Sequence, residues 1–180
     1  GPFTLRERRP PGDGPHRLVL LLHGWTGDEN SMWLFTPRLP QAYWLVAPRG
    51  LHATPLGGYA WHRMTAGSER RWPWLDDFRP AVDALLALLT AENFPGADLE
   101  TIDVVGFSQG AALAYSLALL YPQRVRAVAG LAGFLPDGVV AYLGSSQPLR
   151  RGPAAVPMPV YVSHGSQDEL VPVAMARRSI

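Results

Sequence analysis

Ser108 lies at the centre of Gly106-Phe107-Ser108-Gln109-Gly110, a G-x-S-x-G pentapeptide whose flanks carry as much information as its letters. The preceding Thr101-Ile102-Asp103-Val104-Val105 is a short, β-branched, apolar run that reads as a buried strand. The following stretch, Ala111 to Leu120, is rich in Ala and Leu and reads as a helix. Strand, tight turn and helix together make a nucleophile elbow, which pushes a serine hydroxyl out of the turn beside the positive end of the helix. Side chains at 106 and 110 would collide with the neighbouring strand and helix, so both positions call for glycine. A bare G-x-S-x-G describes an inert small-residue turn equally well; the flanks favour chemistry.

A serine hydroxyl is a weak nucleophile at neutral pH and needs a histidine base, a carboxylate to orient that base, and two N–H donors for the oxyanion. One expected donor is the backbone N–H of Gln109; the other is that of Trp25 in the loop His23-Gly24-Trp25, where Gly24 lets the backbone approach a substrate. In elbows of this kind the relay runs serine, acid, histidine along the chain, which selects Asp168 as the acid, with Glu169 as the adjacent alternative and a helix-capping aspartate as the inert one. The histidines are His16, His23, His52, His62 and His164, and all precede Asp168. His23 reads as a loop-shaping residue, His164 as structural and His62 as a substitute base. The relay order places the base about 30 residues beyond Asp168, and Ile180 comes first. The expectation is therefore a C-terminally incomplete domain.

These residues need a scaffold. Arg17 to Leu22, Tyr43 to Ala47, Val125 to Leu131 and Pro159 to Ser163 read as further strands, and 31–38, Pro80 to Asn93 and a segment from Pro172 as helices. Continuous apolar strands alternating with helices predict an α/β, mostly parallel sheet with helices on both faces. Ligands bind such sheets at the strand C-termini, where loops 23–30, 48–61, 106–110, 130–136 and 164–171 should gather. Residues 1–16 read as a loop or hairpin, with Gly1-Pro2 resembling a tag remnant, residues 17–180 as one domain, and 51–74 and 132–157 as irregular.

Composition narrows the class. The 180 residues carry a net charge of +1 and no cysteine, and all 16 basic residues are arginine. The arginine pairs are scattered, so no nucleic-acid stripe is expected. No apolar run is long enough for an integral membrane segment and no signal peptide is visible, which points to a cytoplasmic protein.

The motif series Leu20 to Asn30 (LLLHGWTGDEN), 47–50 (APRG), 57–62 (GGYAWH), 106–110 (GFSQG), 131–136 (LAGFLP) and 164–172 (HGSQDELVP) resembles the phospholipase/carboxylesterase branch of the α/β-hydrolases, which includes acyl-protein thioesterases. The resemblance implies Ser108 as nucleophile, Asp168 as acid, Trp25 and Gln109 as oxyanion donors, no metal or cofactor, and a small-molecule ester or thioester of short to medium acyl chain as substrate. By position Trp61, Leu131, Phe134 and Val171 look like acyl-pocket residues, though each could equally be core. The alternatives within the family are a thioesterase or lysophospholipase. A catalytically inactive acyl-binding or interaction domain is the alternative of another class. Absence of a last strand and helix would expose a sheet edge and invite a homodimer or domain swap.

Overall fold

Leu18, Leu20 and Leu22 face one side of a strand and Val19 and Leu21 the other, and all five are buried, which requires a sheet covered on both faces. The computed structural model of the chain describes residues 3–63, 72–145 and 157–179. In it, β1 (Leu5–Arg8), β2 (His16–Leu22), β3 (Trp44–Pro48), β6 (Ala97–Phe107), β7 (Val125–Leu131) and β8 (Val160–Ser163) form one sheet in the order β1-β3-β2-β6-β7-β8. Every pairing is parallel except β1 with β3. A two-stranded ribbon, β4 (His52–Ala53) with β5 (Tyr59–Ala60), lies apart from it.

Helix α2 (Gln109–Leu120) is buried almost all round, as a helix made of Ala and Leu must be when it crosses the middle of a sheet. Helix α1 (Arg79–Leu88) packs beside it through Val82, Leu85 and Leu88, with Pro80 in its first turn, where the missing N–H costs nothing. On the other face a 3₁₀ segment, Ser31–Arg38, places Met32, Trp33 and Phe35 against Val19, Leu21, Leu45 and Ala47. Two short α-helices, α3 (Val139–Gly144) and α4 (Val173–Arg177), and two 3₁₀ turns, Leu75–Phe78 and Pro122–Arg124, complete the helical elements of the described residues.

The structure adjusts four sequence expectations, the first being 51–74, read as irregular, which contains the short paired strands β4 and β5. The N-terminal stretch read as a loop or hairpin contributes strand β1, charged on its exposed side as sheet edges usually are. Trp44 Nε1 donates to Glu7 there at 3.1 Å. The helix expected through Asn93 ends at Leu88, because the Asn93 side chain turns back and donates to the Leu88 carbonyl at 2.8 Å. The stretch expected to be irregular after β7 contains α3, entered through Gly138 at φ +83°. Residues 64–71 and 146–156 of the two expected loops lie outside the described residues, as do Gly1 and Pro2.

Strand order reverses at β2, since β3 lies on one side of it and β6 on the other, all three parallel; the crevice at such a switch point is where open α/β sheets take ligands. Leu20, wholly buried in β2, is expected to cost about 2–5 kcal/mol on change to alanine. Leu34, 70% exposed, should shift stability by less than about 0.5 kcal/mol on the same change. Urea unfolding of the two variants checks this ordering.

Candidate active site

Ser108 has φ +51° and ψ −115°, a conformation that costs a non-glycine residue of order 1–3 kcal/mol and persists only where the surroundings fix it. Those surroundings are visible. Its N–H donates to the Leu131 carbonyl at 2.8 Å, and its own carbonyl accepts from Ala111 at 2.9 Å, starting α2. A Cβ on Gly106 would strike the Gly110 carbonyl, and one on Gly110 would strike the Leu22 carbonyl. The end of β2, the end of β6 and the first turn of α2 are therefore in backbone contact.

The loop after β2 lies against the nucleophile, since a Cβ on Gly24 would sit 3.3 Å from the Ser108 Cβ. The amides of Trp25 and Gln109 carry no hydrogen bond to the described residues. Trp25 is 41% exposed, whereas Gln109 is buried. Buried His23 holds this loop. Its Nδ1 is 2.7 Å from the Gly24 carbonyl, which can only accept, and its Nε2 is 2.8 Å from the Gly50 N–H, which can only donate. The ring is thus the neutral Nδ1–H tautomer, with both nitrogens engaged. Burial lowers its pKa against the opposing pull of the Gly24 carbonyl. Such an imidazole is not free to act as a base, in keeping with a loop-shaping role.

A second clamp joins this loop to the one after β3. Arg49 donates from Nε and Nη2 to the two Glu29 oxygens at 2.7 and 2.8 Å, donates from Nη1 to the Tyr59 hydroxyl at 3.1 Å, and lies over the Tyr59 ring. The guanidinium holds the Glu29 carboxyl below its ordinary range. Sequence reasoning missed this pair; its traces were two separate motifs, LLLHGWTGDEN with Glu29 and APRG with Arg49, which give both residues but not their contact.

Asp168 follows β8, whose Ser163 is in register with Leu131 and, through it, with Phe107. Two strand spacings of about 4.8 Å separate the ends of β6 and β8. Asp168 Oδ1 accepts from the amides of Leu170 and Val171 at 3.0 and 2.9 Å, while Oδ2 lies 3.6 Å from His164 Nε2. It is not the cap of α4, whose N-cap is Pro172. Glu169 is exposed. His164 Nε2 donates to the Val171 carbonyl at 2.6 Å, and its buried Nδ1 has no hydrogen-bond partner among the described residues. His62 sits edge-on to Phe78, with its Nδ1 3.1 Å from the Arg63 carbonyl. Among the described residues no histidine bonds the Ser108 hydroxyl.

The four pocket candidates are placed unequally. Trp61 is wholly buried beneath the loop, stacked on His23 at 4.8 Å, and its Nε1 donates to the His23 carbonyl at 2.8 Å; as placed it supports the site from below. Phe134 and Val171 are 4% and 5% exposed and belong to the core, Phe134 against Trp72. Leu131, half-buried at the end of β7, is the one beside the Ser108 backbone. A cavity of about 440 Å³ opens elsewhere, at the strand N-termini between Arg17, Thr101, Val125, Arg126 and Pro159, remote from these residues.

The His23 geometry has a consequence for stability. Protons bind more readily to the unfolded chain, where the imidazole has its ordinary pKa of about 6.5, than to the folded one. Stability is therefore complete above that value and is lost as the pH falls below it. The urea midpoint is expected to drop from about pH 7 to pH 5. The drop should shrink in His23→Gln, leaving the smaller contribution of His52, which burial moves the same way. An equal drop in both proteins would exclude His23 as its source.

The comparisons with known proteins agree with this architecture. A probable carboxylesterase of Oryza sativa subsp. japonica is 38% identical over 91 residues, 51% of this chain and 32% of its own length. The acyl-protein thioesterase 1 of Schizosaccharomyces pombe is 23% identical over 170 residues, 93% of this chain and 69% of its own. The crystal structure of esterase PE8 superposes with a TM-score of 0.76 at 25% identity, covering 98% of this chain and 81% of that one. The matched region thus spans about a third of the rice protein and about two-thirds of the yeast one. The phospholipase/carboxylesterase family model matches residues 8–179, from the charged edge strand to the helix after the Asp168 loop, and the chain belongs to that family of α/β-hydrolases.

Proposed function

We propose that the protein is a serine hydrolase of carboxylic esters, working through an acyl-enzyme on Ser108. The observation that carries this reading is the strained Ser108 backbone, maintained by three surrounding elements at the start of a helix. Ser108 Oγ attacks the ester carbonyl carbon, and the carbonyl oxygen becomes an oxyanion received by the amides of Trp25 and Gln109. Each such donor is worth about 3–4 kcal/mol in the transition state. Collapse expels the alcohol and leaves an acyl-serine; water attacks next, releasing the acid and restoring the hydroxyl. The proton moves through a histidine base oriented by Asp168 Oδ2, the carboxylate oxygen that the backbone amides leave unengaged. Short- to medium-chain acyl groups would lie along Leu131 and the exposed Trp25 ring. Thioester or lysophospholipid cleavage would use the same steps with a different leaving group. The proposed setting is the cytoplasm; no described helix is long and apolar enough to cross a membrane.

A specific observation favours a second reading, an acyl-binding domain without turnover: among the described residues no histidine bonds the Ser108 hydroxyl. The two readings separate in one experiment. A serine-directed fluorophosphonate should add one covalent adduct to the protein, the adduct should vanish in Ser108→Ala, and Asp168→Asn should slow ester hydrolysis by on the order of 10³–10⁴-fold. An adduct surviving Ser108→Ala overturns the assignment. Ester binding with neither adduct nor turnover establishes the second reading.

A further inference from the structure

We propose that the side chain of Gln109, as distinct from its amide, is a positioning group that fixes the separation of the two oxyanion donors. Gln109 Oε1 accepts from the buried Trp61 N–H at 2.9 Å. The Trp61 indole Nε1–H donates to the His23 carbonyl at 2.8 Å. His23 then accepts from Gly50 and donates to Gly24, one residue before Trp25. A continuous run of buried hydrogen bonds thus leads from the first residue of α2, whose amide is one proposed donor, through the β5 loop, to the loop that supplies the other. No atom in this run needs to touch substrate. Its effect is on distance, and a displacement of about 1 Å at such a site is worth about 100-fold in rate.

The alternatives for this side chain are weaker on geometry. At 7% exposure Gln109 presents little surface to a ligand, and its carbonyl oxygen is already used. Simple core filling would be served as well by leucine or methionine, neither of which accepts a hydrogen bond. Removal of the acceptor would leave the Trp61 amide buried and unpaired, and the loop would have to move to rehydrate it.

The kinetic half of the proposal rests on the serine-hydrolase reading; the structural half does not, so both are measured. In Gln109→Met, amide hydrogen exchange should rise by about tenfold or more in 24–27 and 59–62, while the later turns of α2 keep their protection. In Gln109→Glu, which keeps an acceptor at the same reach, exchange in 59–62 should remain at the wild-type level. For the active protein, Gln109→Met should lower kcat by about 10- to 100-fold with KM nearly unchanged. Trp61→Phe, which removes the indole donor together with part of the ring volume, should lower kcat as well, and the double variant should lose less than the product of the two. Unchanged exchange at 24–27 and 59–62 in the methionine variant overturns the positioning role, as does a raised KM with kcat intact or loss of protection in the glutamate variant. A wild-type protein that takes no fluorophosphonate adduct overturns the esterase reading instead, and leaves the exchange result to decide the clamp.

Discussion

Gly110, in the first turn of α2, rests against the last carbonyls of β2 with no room for a side chain, and the remainder of the site is built outward from that contact. It sets the helix so close to the sheet that the residue before it, Ser108, has to turn through a left-handed conformation to connect β6 to α2. The same contact brings the first turn of α2 against the end of β2 and the start of the loop that follows it. The cost of the strained serine is met by burial along α2, where Leu113, Leu117 and Leu120 are nearly or wholly inaccessible. Each such side chain contributes about 1.5–3 kcal/mol.

Around this junction the polar groups fall into two sets, those with their hydrogen bonds made and those without. His23, Trp61, the Gln109 carbonyl and the Glu29–Arg49 pair have their hydrogen-bonding capacity spent on loops. The Ser108 hydroxyl, the Trp25 and Gln109 amides and one oxygen of Asp168 are left with capacity to spare. Low dielectric strengthens the first set and makes vacancies in it costly, which keeps the second set in place without engaging it.

Much of this was legible in the sequence, for identifiable reasons. A parallel strand buried on both faces has to be continuously apolar, so β2, β3 and β7 announce themselves. The elbow is legible because sterics leave glycine as the only tenant at 106 and 110. Strand β1 is not, since Leu5-Arg6-Glu7-Arg8 has one apolar residue and takes its place from partners far away, Arg6 over Trp33 and Glu7 beneath the Trp44 indole. Helix α3 is too short for a period to emerge from its Gly- and Pro-rich surroundings. In the site, residue types were readable and bonds were not. Trp61 looks from its letter like a wall for an acyl chain, and only three dimensions reveal its indole donating to a carbonyl beneath the loop. Gln109 was noticed for its amide, and nothing in a motif records where a side-chain oxygen goes.

The order of strands has a consequence for how the protein is made. Strand β2 is central and its apolar side chains need β6 on one flank, yet the bonded pair Arg17 and Asp103 is separated by 86 residues along the chain. At synthesis rates of about 5–20 residues per second, β2 leaves the ribosome roughly 4–17 s before its neighbour exists. During that interval the most water-averse segment of the molecule has β3 beside it and nothing on its other side. The nascent chain therefore carries an unpaired apolar flank of β2 until β6, the strand that leads into the serine, has been translated.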